Sequence, residues 1–230
     1  MSYKNLTVIF CTKKEDSECK EFTAHINETC GFEPSIMCIH NPDGLPLSKI
    51  YADMMVSSEV KDQVVVFIHD DIEFLKKGWG EEILRLFKEN KEYGIIGVAG
   101  SAQFDEDAAW WNYKKIFGQV LHRKDGTSWL SAFSPLLDKD LQEVAVVDGL
   151  FIAVDRARIS DNFNRELEGF DFYDIDFCLS NLFSKKCKIG VTTNIRLAHN
   201  SIGALKDGWF KNRDIINNKY KDKYPIDILK

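Results

Sequence analysis

The feature that most constrains this chain is an apolar run, residues 64–68, that leads directly into His69, Asp70 and Asp71. Four of its five residues are β-branched, which is typical of a strand buried on both faces of a parallel sheet. Charged residues at the end of such a strand lie where α/β sheets bind ligands. Because neighbouring carboxylates repel each other, they are usually balanced by a cation, a proton or a ligand. The segment therefore predicts the floor of an active site, although aspartate-rich turns also form for local hydrogen-bonding reasons.

The overall composition indicates an ordinary globular protein. The chain has 230 residues, of which 44% are hydrophobic and 29% charged, so it can bury a substantial core. A net charge of -6 disfavours a nucleic-acid-binding face. No apolar run approaches the roughly 20 residues that span a bilayer, and residues 1–6 do not begin a signal peptide. We therefore expect a cytoplasmic protein without a nucleic-acid partner or an integral membrane segment, with membrane contact limited to peripheral association.

The six cysteines do not show the spacing of a metal site. They stand at positions 11, 19, 30, 38, 178 and 187, and none forms a C-x-x-C pair. In a reducing compartment we expect them to pack as buried small apolar side chains.

The first hundred residues alternate predicted strands and helices. Short apolar runs predict strands over 6–11, 35–39 and 64–68. Apolar residues at helical spacing predict a helix over 16–30, and a second helix is expected over 47–57. This alternation indicates a parallel, doubly wound half with helices on both faces of the sheet.

The rest of the chain is less regular. Its predicted elements are a helix over 79–90, a strand over 94–99, a β-hairpin over 114–130, strands over 143–147 and 150–154, a helix over 173–185, strands over 188–192 and 195–198, and a partly helical end over 206–224. The segment 100–112 carries Trp110 and Trp111, whose apolar area favours an ordered loop over a site. Without a repeat or a clear linker, the simplest organisation is a single domain over 1–230.

Three separated stretches bring acids or a histidine to the end of an apolar run or the start of a helix. They contain Asp70 with Asp71, Asp174 with Asp176, and His199. Two carboxylates and a histidine are a reasonable partial ligand set for a divalent ion, and a metal that also holds phosphates takes only one or two protein carboxylates. A further carboxylate nearby can serve as a general base.

In their order, these segments resemble the GT-A glycosyltransferases, in particular the family 2-like enzymes that use nucleotide-diphosphate sugars. The resemblance runs from the first predicted strand to about His199. It implies an α/β fold of the GT-A type, a Rossmann-like three-layer sandwich with a mixed central sheet. It also implies a nucleotide-sugar-binding half over 1–100 and an acceptor and catalytic half over 101–230.

Two motifs carry the resemblance. His69-Asp70-Asp71 is similar to the family's Asp-x-Asp motif with His69 in place of the first aspartate, which implies that Asp71 holds a metal bridging the donor diphosphate. The segment 173–179 is similar to the acidic pair that opens a late helix in the family, with a tyrosine in place of glutamate, which implies that Asp174 is the catalytic base. His199 follows 25 positions later, where a family histidine commonly completes the metal site.

Physical chemistry adds two expectations about these acids. At a helix N-terminus, Asp174 should be held ionised by the helix dipole, although a simple helix cap remains the alternative. Asp176 lies two positions on and cannot share the same helical face, so it is expected to make a structural contact.

The resemblance further implies which residues contact the two substrates. The implied donor-binding residues are Thr12, Lys49, Asp70 and Asp71. The implied acceptor-binding residues are Asp148 and Gly149, and Trp110 and Trp111 are further acceptor-binding candidates because aromatic faces suit the apolar C–H faces of pyranoses. Each has a structural alternative, since lysines are usually solvated, aspartates suit turns and tryptophans anchor cores.

Together these features predict a metal-dependent, inverting glycosyltransferase. It would use Mn²⁺ or Mg²⁺ to move a sugar from a nucleotide diphosphate, UDP being the commonest in the family, to a hydroxyl of a glycan or a lipid-linked acceptor. One alternative is a catalytically degenerate nucleotide-sugar or carbohydrate-binding module of the same fold, because His69 and Tyr173 depart from the family motifs. A nucleotidyltransferase of this fold is disfavoured, because the first strand is not followed by a glycine-rich loop that would cradle a triphosphate.

Overall fold

The computed structural model describes residues 3–184, 186–201 and 205–230. Fifteen strands and five α-helices alternate along these residues, in the order β1 (Leu6–Thr12), α1 (Asp16–Cys30), β2 (Ser35–His40), α2 (Leu47–Val56), β3 (Val64–Ile68), β4 (Ile72–Phe74), α3 (Trp79–Glu89), β5 (Tyr93–Gly97), β6 (Ala99–Ser101), β7 (Gln103–Phe104), β8 (Ile116–Lys124), β9 (Thr127–Ala132), β10 (Gln142–Val144), β11 (Val146–Val147), β12 (Phe151–Asp155), α4 (Tyr173–Ser184), β13 (Lys188–Val191), β14 (Leu197–His199), α5 (Asp207–Tyr220) and β15 (Ile226–Asp227). Short 3-10 helices cover Trp110–Asn112 and Lys221–Lys223.

The first half folds as the sequence predicts. β1 pairs in parallel with β2 and with β3, and α1 and α2 form the crossovers. The N-terminus of α1 is closed by Glu18, whose side chain accepts a hydrogen bond from the Glu15 N–H at 3.3 Å. The same helix ends at Gly31, whose φ of 101° lies in the left-handed region that glycine adopts without strain. All five residues of β3 are buried, as expected for a central strand.

The second half completes a mixed sheet of seven strands in the order β10-β13-β5-β12-β3-β1-β2. β12 runs antiparallel between β3 and β5, so the sheet is parallel only in part. Its register pairs Phe151 with Ile68, which brings the loop before β12 beside the residues that follow β3. The mixed α/β architecture that the resemblance implies is confirmed.

A second sheet lies over the ends of these strands, in the order β11-β6-β8-β14-β4, with β9 paired to β8. β8 and β9 form the predicted hairpin, and Asp125 and Gly126 at its tip both have positive φ, as a tight hairpin turn requires. The predicted strand over 94–99 is divided in two, because the chain leaves the first sheet after Gly97 and enters the second at Ala99.

Two of the six cysteines are paired instead of packing as free side chains. A disulfide joins Cys19 of α1 to Cys38 of β2, which packs beside that helix. Cys30 and Cys178 are free and buried, as expected. Within the described ranges, no helix is both long and apolar enough to cross a membrane.

Candidate active site

Two histidines and an aspartate meet where the two sheets join. His69 follows β3, Asp71 precedes β4, and His199 ends β14, which pairs with β4 so that His199 lies opposite Ile72. The Asn200 N–H donates to the Asp71 carbonyl at 2.9 Å, which holds the end of β14 beside the segment that precedes β4. One ligand atom from each of the three residues lies within 4.8 Å of the other two. The structure therefore brings together Asp71 and His199, the two predicted metal ligands.

His69 is a member of this group that the sequence interpretation missed as a ligand. The signal was available, because His69 occupies the position of the first aspartate in an Asp-x-Asp motif and imidazole is itself a common ligand. Its ring centroid lies 5.6 Å from that of His199. Burial lowers the pKa of His69, which favours the neutral form that can coordinate a metal.

The chemistry of this group fits a divalent cation. Asp71 Oδ1 is buried and lies 3.3 Å from His199 Nε2, yet it has no hydrogen-bond partner in the part of the chain that the structure describes. Burial by itself would raise the pKa of Asp71, but the neighbouring imidazole of His199 outweighs it and holds that pKa well below its usual range. An ionised carboxylate beside two imidazoles is a donor set that borderline divalent ions accept.

A cavity of about 570 Å³, here called the strand-end cavity, opens at the ends of β1 and β3. Its lining includes Thr12, Lys14, Asp70 and Asp71, so three of the predicted donor-binding residues border it. The Thr12 hydroxyl donates to Asp70 Oδ2 at 2.6 Å, and Lys14 Nζ donates to the Asp70 carbonyl at 2.5 Å. Lys14 is a positively charged lining residue that the sequence interpretation did not select.

The fourth predicted donor-binding residue, Lys49, lies elsewhere. It is exposed on α2 and is not among the described residues that line the strand-end cavity. The reason is helical geometry, because Leu47 and Tyr51 point into this cavity and a residue midway between positions i and i+4 faces the opposite side.

A second cavity of about 570 Å³, here called the aromatic cavity, lies on the other side of His69. All four predicted acceptor-binding residues line it, namely Trp110, Trp111, Asp148 and Gly149. Trp110 is buried and packs edge-on against Trp111 and Phe133, so it is also a core anchor.

Asp174 lines the aromatic cavity at the start of α4. Its Oδ2 accepts a hydrogen bond from the Gly149 N–H at 2.7 Å, and its Oδ1 accepts one from the Ile175 N–H at 2.9 Å. Burial and the nearby charge of Asp148 raise the pKa of Asp174 to about 7 and outweigh these hydrogen bonds. Burial therefore opposes the helix dipole that was expected to hold this carboxylate ionised.

The residue before Asp174 connects the two cavities. The Tyr173 hydroxyl donates to the Gly149 carbonyl at 3.0 Å and lies 2.9 Å from His69 Nε2. Phe172, immediately upstream, has a φ of 66°, a left-handed conformation that turns the chain sharply into α4. Tyr173 thus contacts both His69, a member of the candidate metal group, and Gly149, whose N–H binds Asp174.

Asp176 has the structural role that the helical spacing predicts. It is buried, with its carboxylate held by Lys219 Nζ at 2.8 Å and by the Tyr220 hydroxyl at 2.9 Å. It ties α4 to α5, and it is not among the described residues that line either cavity.

Comparison with known proteins agrees with this architecture. A family model described as "Glycosyltransferase like family" matches residues 7–220. Among solved structures, the mannosyltransferase PcManGT from Pyrobaculum calidifontis, in complex with GDP-Man and Mn²⁺, aligns at 9% identity with a TM-score of 0.52 and covers 91% of this chain and 60% of that chain. A197 from STIV aligns at 10% identity and a TM-score of 0.48, covering 86% of each chain. TarS from S. aureus aligns at 10% identity and a TM-score of 0.48, covering 86% of this chain and 37% of its own.

The likeness to PcManGT confirms the GT-A fold expected from the sequence. This chain spans less than two thirds of the length of PcManGT and of TarS. No curated protein matches the sequence at a significant level.

Proposed function

The chain belongs to the glycosyltransferase-like family whose model it matches, and we propose that it is a metal-dependent, inverting enzyme. In this proposal it moves a sugar from a nucleotide diphosphate to a hydroxyl of a glycan or a lipid-linked acceptor. The observation that carries the proposal is the position of His69, which lines both the strand-end cavity and the aromatic cavity. A sugar that bridges these two cavities would have its leaving group beside the metal group and its acceptor beside Asp174.

The strand-end cavity suits the nucleotide diphosphate. Thr12 and Asp70 offer polar atoms at the strand ends, and Lys13 and Lys14 offer positive charge for phosphates. Residues 1–100 supply most of this cavity, with Phe170 and Ser201 added from the second half. We therefore propose the division into a donor half and an acceptor half as a division of roles within one domain.

We propose that His69, Asp71 and His199 hold a divalent ion, for which Mn²⁺ is the first candidate. PcManGT, which shares the fold, was determined with Mn²⁺ and a nucleotide sugar. When bound, such an ion acts as a Lewis acid that neutralises the charge of a departing diphosphate. The carboxylate of Asp71 would orient the ion, and the buried Oδ1 without a hydrogen-bond partner would be satisfied by it.

We propose Asp174 as the general base. Inverting transfer needs a base on the acceptor side that removes a hydroxyl proton as the new bond forms. A pKa of about 7 suits this task, because the carboxylate is substantially ionised at neutral pH and still basic enough to take a proton. The Gly149 N–H and the Ile175 N–H fix its orientation and leave one lone pair on each oxygen for the acceptor.

The test is hydrolysis of a panel of UDP- and GDP-sugars with and without Mn²⁺, because water slowly replaces an absent acceptor. We expect one donor to be turned over in a metal-dependent way. Asp71→Ala and His199→Ala should abolish turnover, and Asp174→Asn should lower it at least about hundredfold, a typical general-base contribution. Asp214→Ala, an exposed aspartate on α5, is the matched control and should behave as wild type.

Two outcomes would contradict the proposal. If nucleotide sugars bind but no variant changes a background rate, the chain is a degenerate binding module. If no nucleotide sugar binds with or without metal, the assignment of donor and activity fails and only the fold remains.

A further inference from the structure

The aromatic cavity is lined by several carboxyl groups, and the charged nitrogens of lysine and arginine are missing from its described lining. Three carboxylates line it, those of Asp148, Asp171 and Asp174, and no lysine or arginine is among the described lining residues. Burial raises the pKa of Asp171, and the nearby charge of Lys206 partly opposes this rise. Lys206 is not among the described residues that line the cavity. A phosphate or carboxylate entering this cavity would lose water and meet like charge.

The strand-end cavity has the opposite character. Lys13 and Lys14 both line it, and Lys14 Nζ lies 3.6 Å from Asp70 Oδ2. Among the residues that the structure describes, the lysines that could neutralise a diphosphate therefore line the strand-end cavity and not the aromatic cavity. The charge of an ion held by His69, Asp71 and His199 would be offset by that diphosphate, so it would not turn the aromatic cavity into an anion site.

The walls of the aromatic cavity offer aromatic faces. Trp111 is 39% exposed and Trp129 is 37% exposed, although both belong to the lining. Trp129 is held in place by His122, whose ring stacks on it with centroids 5.4 Å apart and an angle of 16°. Large, oriented aromatic faces next to water suit the apolar C–H faces of a pyranose ring.

The carboxylates of the cavity have capacity left for hydroxyl groups. Asp148 Oδ1 accepts from the Leu150 N–H at 2.9 Å, and its second oxygen receives no hydrogen bond from the described residues. The Asp171 carboxylate likewise receives none from the residues that the structure describes. Carboxylates are strong acceptors for neutral O–H donors, and a sugar presents such donors in pairs.

We infer that the acceptor is an uncharged sugar, bound between the aromatic face of Trp129 and the carboxylate of Asp171, and that these two residues select against phosphate- and carboxylate-bearing acceptors. The inference rests on the proposed function, because it names the substrate class of the same site. It adds Trp129 and Asp171 as specificity-determining residues. It also excludes acceptor sugars that carry an anionic group on the part that enters the aromatic cavity.

Saturation-transfer NMR with matched sugar pairs tests this inference. The neutral probes are the methyl pyranosides of glucose, galactose, mannose and N-acetylglucosamine, and the anionic probes are their 6-phosphates and, for the three hexoses, the uronic acids. We expect at least one neutral probe to bind at least about tenfold more tightly than its anionic partners, a difference of about 1.4 kcal/mol. Trp129→Ala should weaken that binding, and Asp171→Lys should shift the preference toward the anionic partner.

Two controls keep the result interpretable. Phe210→Ala removes an aromatic side chain that is 44% exposed on α5 and is not among the described residues lining the aromatic cavity, so it should leave sugar binding unchanged. Asp171→Asn removes the charge with little change of shape. It should reduce the difference in affinity between the neutral and the anionic probes even if the lysine variant folds poorly.

The outcomes separate this inference from the proposed function. Nucleotide binding is measured independently by calorimetry with UDP or GDP and Mn²⁺. If nucleotide binds but the anionic probes bind as tightly as the neutral ones, or no neutral probe is saturated, the acceptor inference is overturned and the donor assignment stands. If nucleotide does not bind, the proposed function fails, and saturation of the sugar probes alone still decides whether the cavity prefers neutral sugars.

Discussion

The Tyr173 hydroxyl lies 2.9 Å from His69 Nε2, although 104 positions separate the two residues in the chain. Tyr173 is buried at the start of α4, and His69 follows the central strand β3. A partner at one ring nitrogen fixes the orientation and the tautomer of an imidazole and leaves the other nitrogen for a metal. The tyrosine that stands in place of the family's glutamate is therefore placed to orient His69, which we propose as a metal ligand.

Removing this hydroxyl should weaken metal binding. In Tyr173→Phe the ring that packs against Tyr51 and Phe163 is kept, but the contacts to His69 and to the Gly149 carbonyl are lost. We expect Mn²⁺ affinity to fall about tenfold, as is typical for loss of a group that orients a ligand. Calorimetric Mn²⁺ titration measures this, and the loss of buried hydrogen bonds should also cost roughly 1–3 kcal/mol of stability. Unchanged Mn²⁺ affinity in a folded variant would show that the hydroxyl has only a packing role.

The ligand set predicts which ion is preferred. Two imidazoles and one carboxylate favour Mn²⁺ over Mg²⁺, because Mg²⁺ prefers oxygen ligands. We expect Mn²⁺ to bind more tightly by at least about tenfold in competition monitored by electron paramagnetic resonance. His69→Asp, which restores an Asp-x-Asp motif, should reduce this preference. A wild-type protein that binds both ions equally would argue against coordination by both histidines.

Much of the fold could be predicted because local signals and tertiary structure agree. The apolar run 64–68 becomes a fully buried strand, and the helix expected over 16–30 is observed as Asp16–Cys30. The antiparallel insertion of β12 was not predictable in this way, because the period of a strand does not reveal the direction of its neighbours.

The positions of three candidate-site residues were predictable, because the sequence places each of them at a strand end or a helix start, while their chemical roles, implied by the family resemblance, stay predictions. These residues are Asp71, Asp174 and His199. Lys49 was misplaced because proximity along the chain says nothing about the side of the helix that a residue faces. Trp129, which we infer to contact the acceptor, could not be selected from the sequence, because its place in the lining depends on the pairing of β9 with β8 and on its stacking with His122.

The pH dependence of turnover should report Asp174. A base must be deprotonated, and burial raises the pKa of this carboxyl to about 7, so kcat/KM should rise with pH through that value and level off above it. Below the pKa the rate should fall about tenfold per pH unit. The profile is measured with saturating Mn²⁺ and corrected for metal binding at each pH. In Asp174→Asn the residual rate should lose this rise, and a variant that keeps it would assign the titration to another group.

A single added methyl group at position 149 should disrupt the site. A Cβ on Gly149 would lie 2.3 Å from the Tyr173 hydroxyl oxygen and 3.1 Å from Asp174 Oδ2, both held by hydrogen bonds. We expect Gly149→Ala to lose at least about 1–3 kcal/mol of stability through overpacking and to lower turnover further by displacing the base. Gly208→Ala on α5 is the matched control for donor hydrolysis, since the nearest described atom to its added Cβ, Asp171 Oδ2, would lie at an ordinary contact distance of 3.9 Å. Thermal unfolding measures the loss of stability, and donor hydrolysis measures the loss of turnover. A base in direct contact with the acceptor does not tolerate a shift of this size. Near-normal turnover in Gly149→Ala would therefore argue against Asp174 as the base.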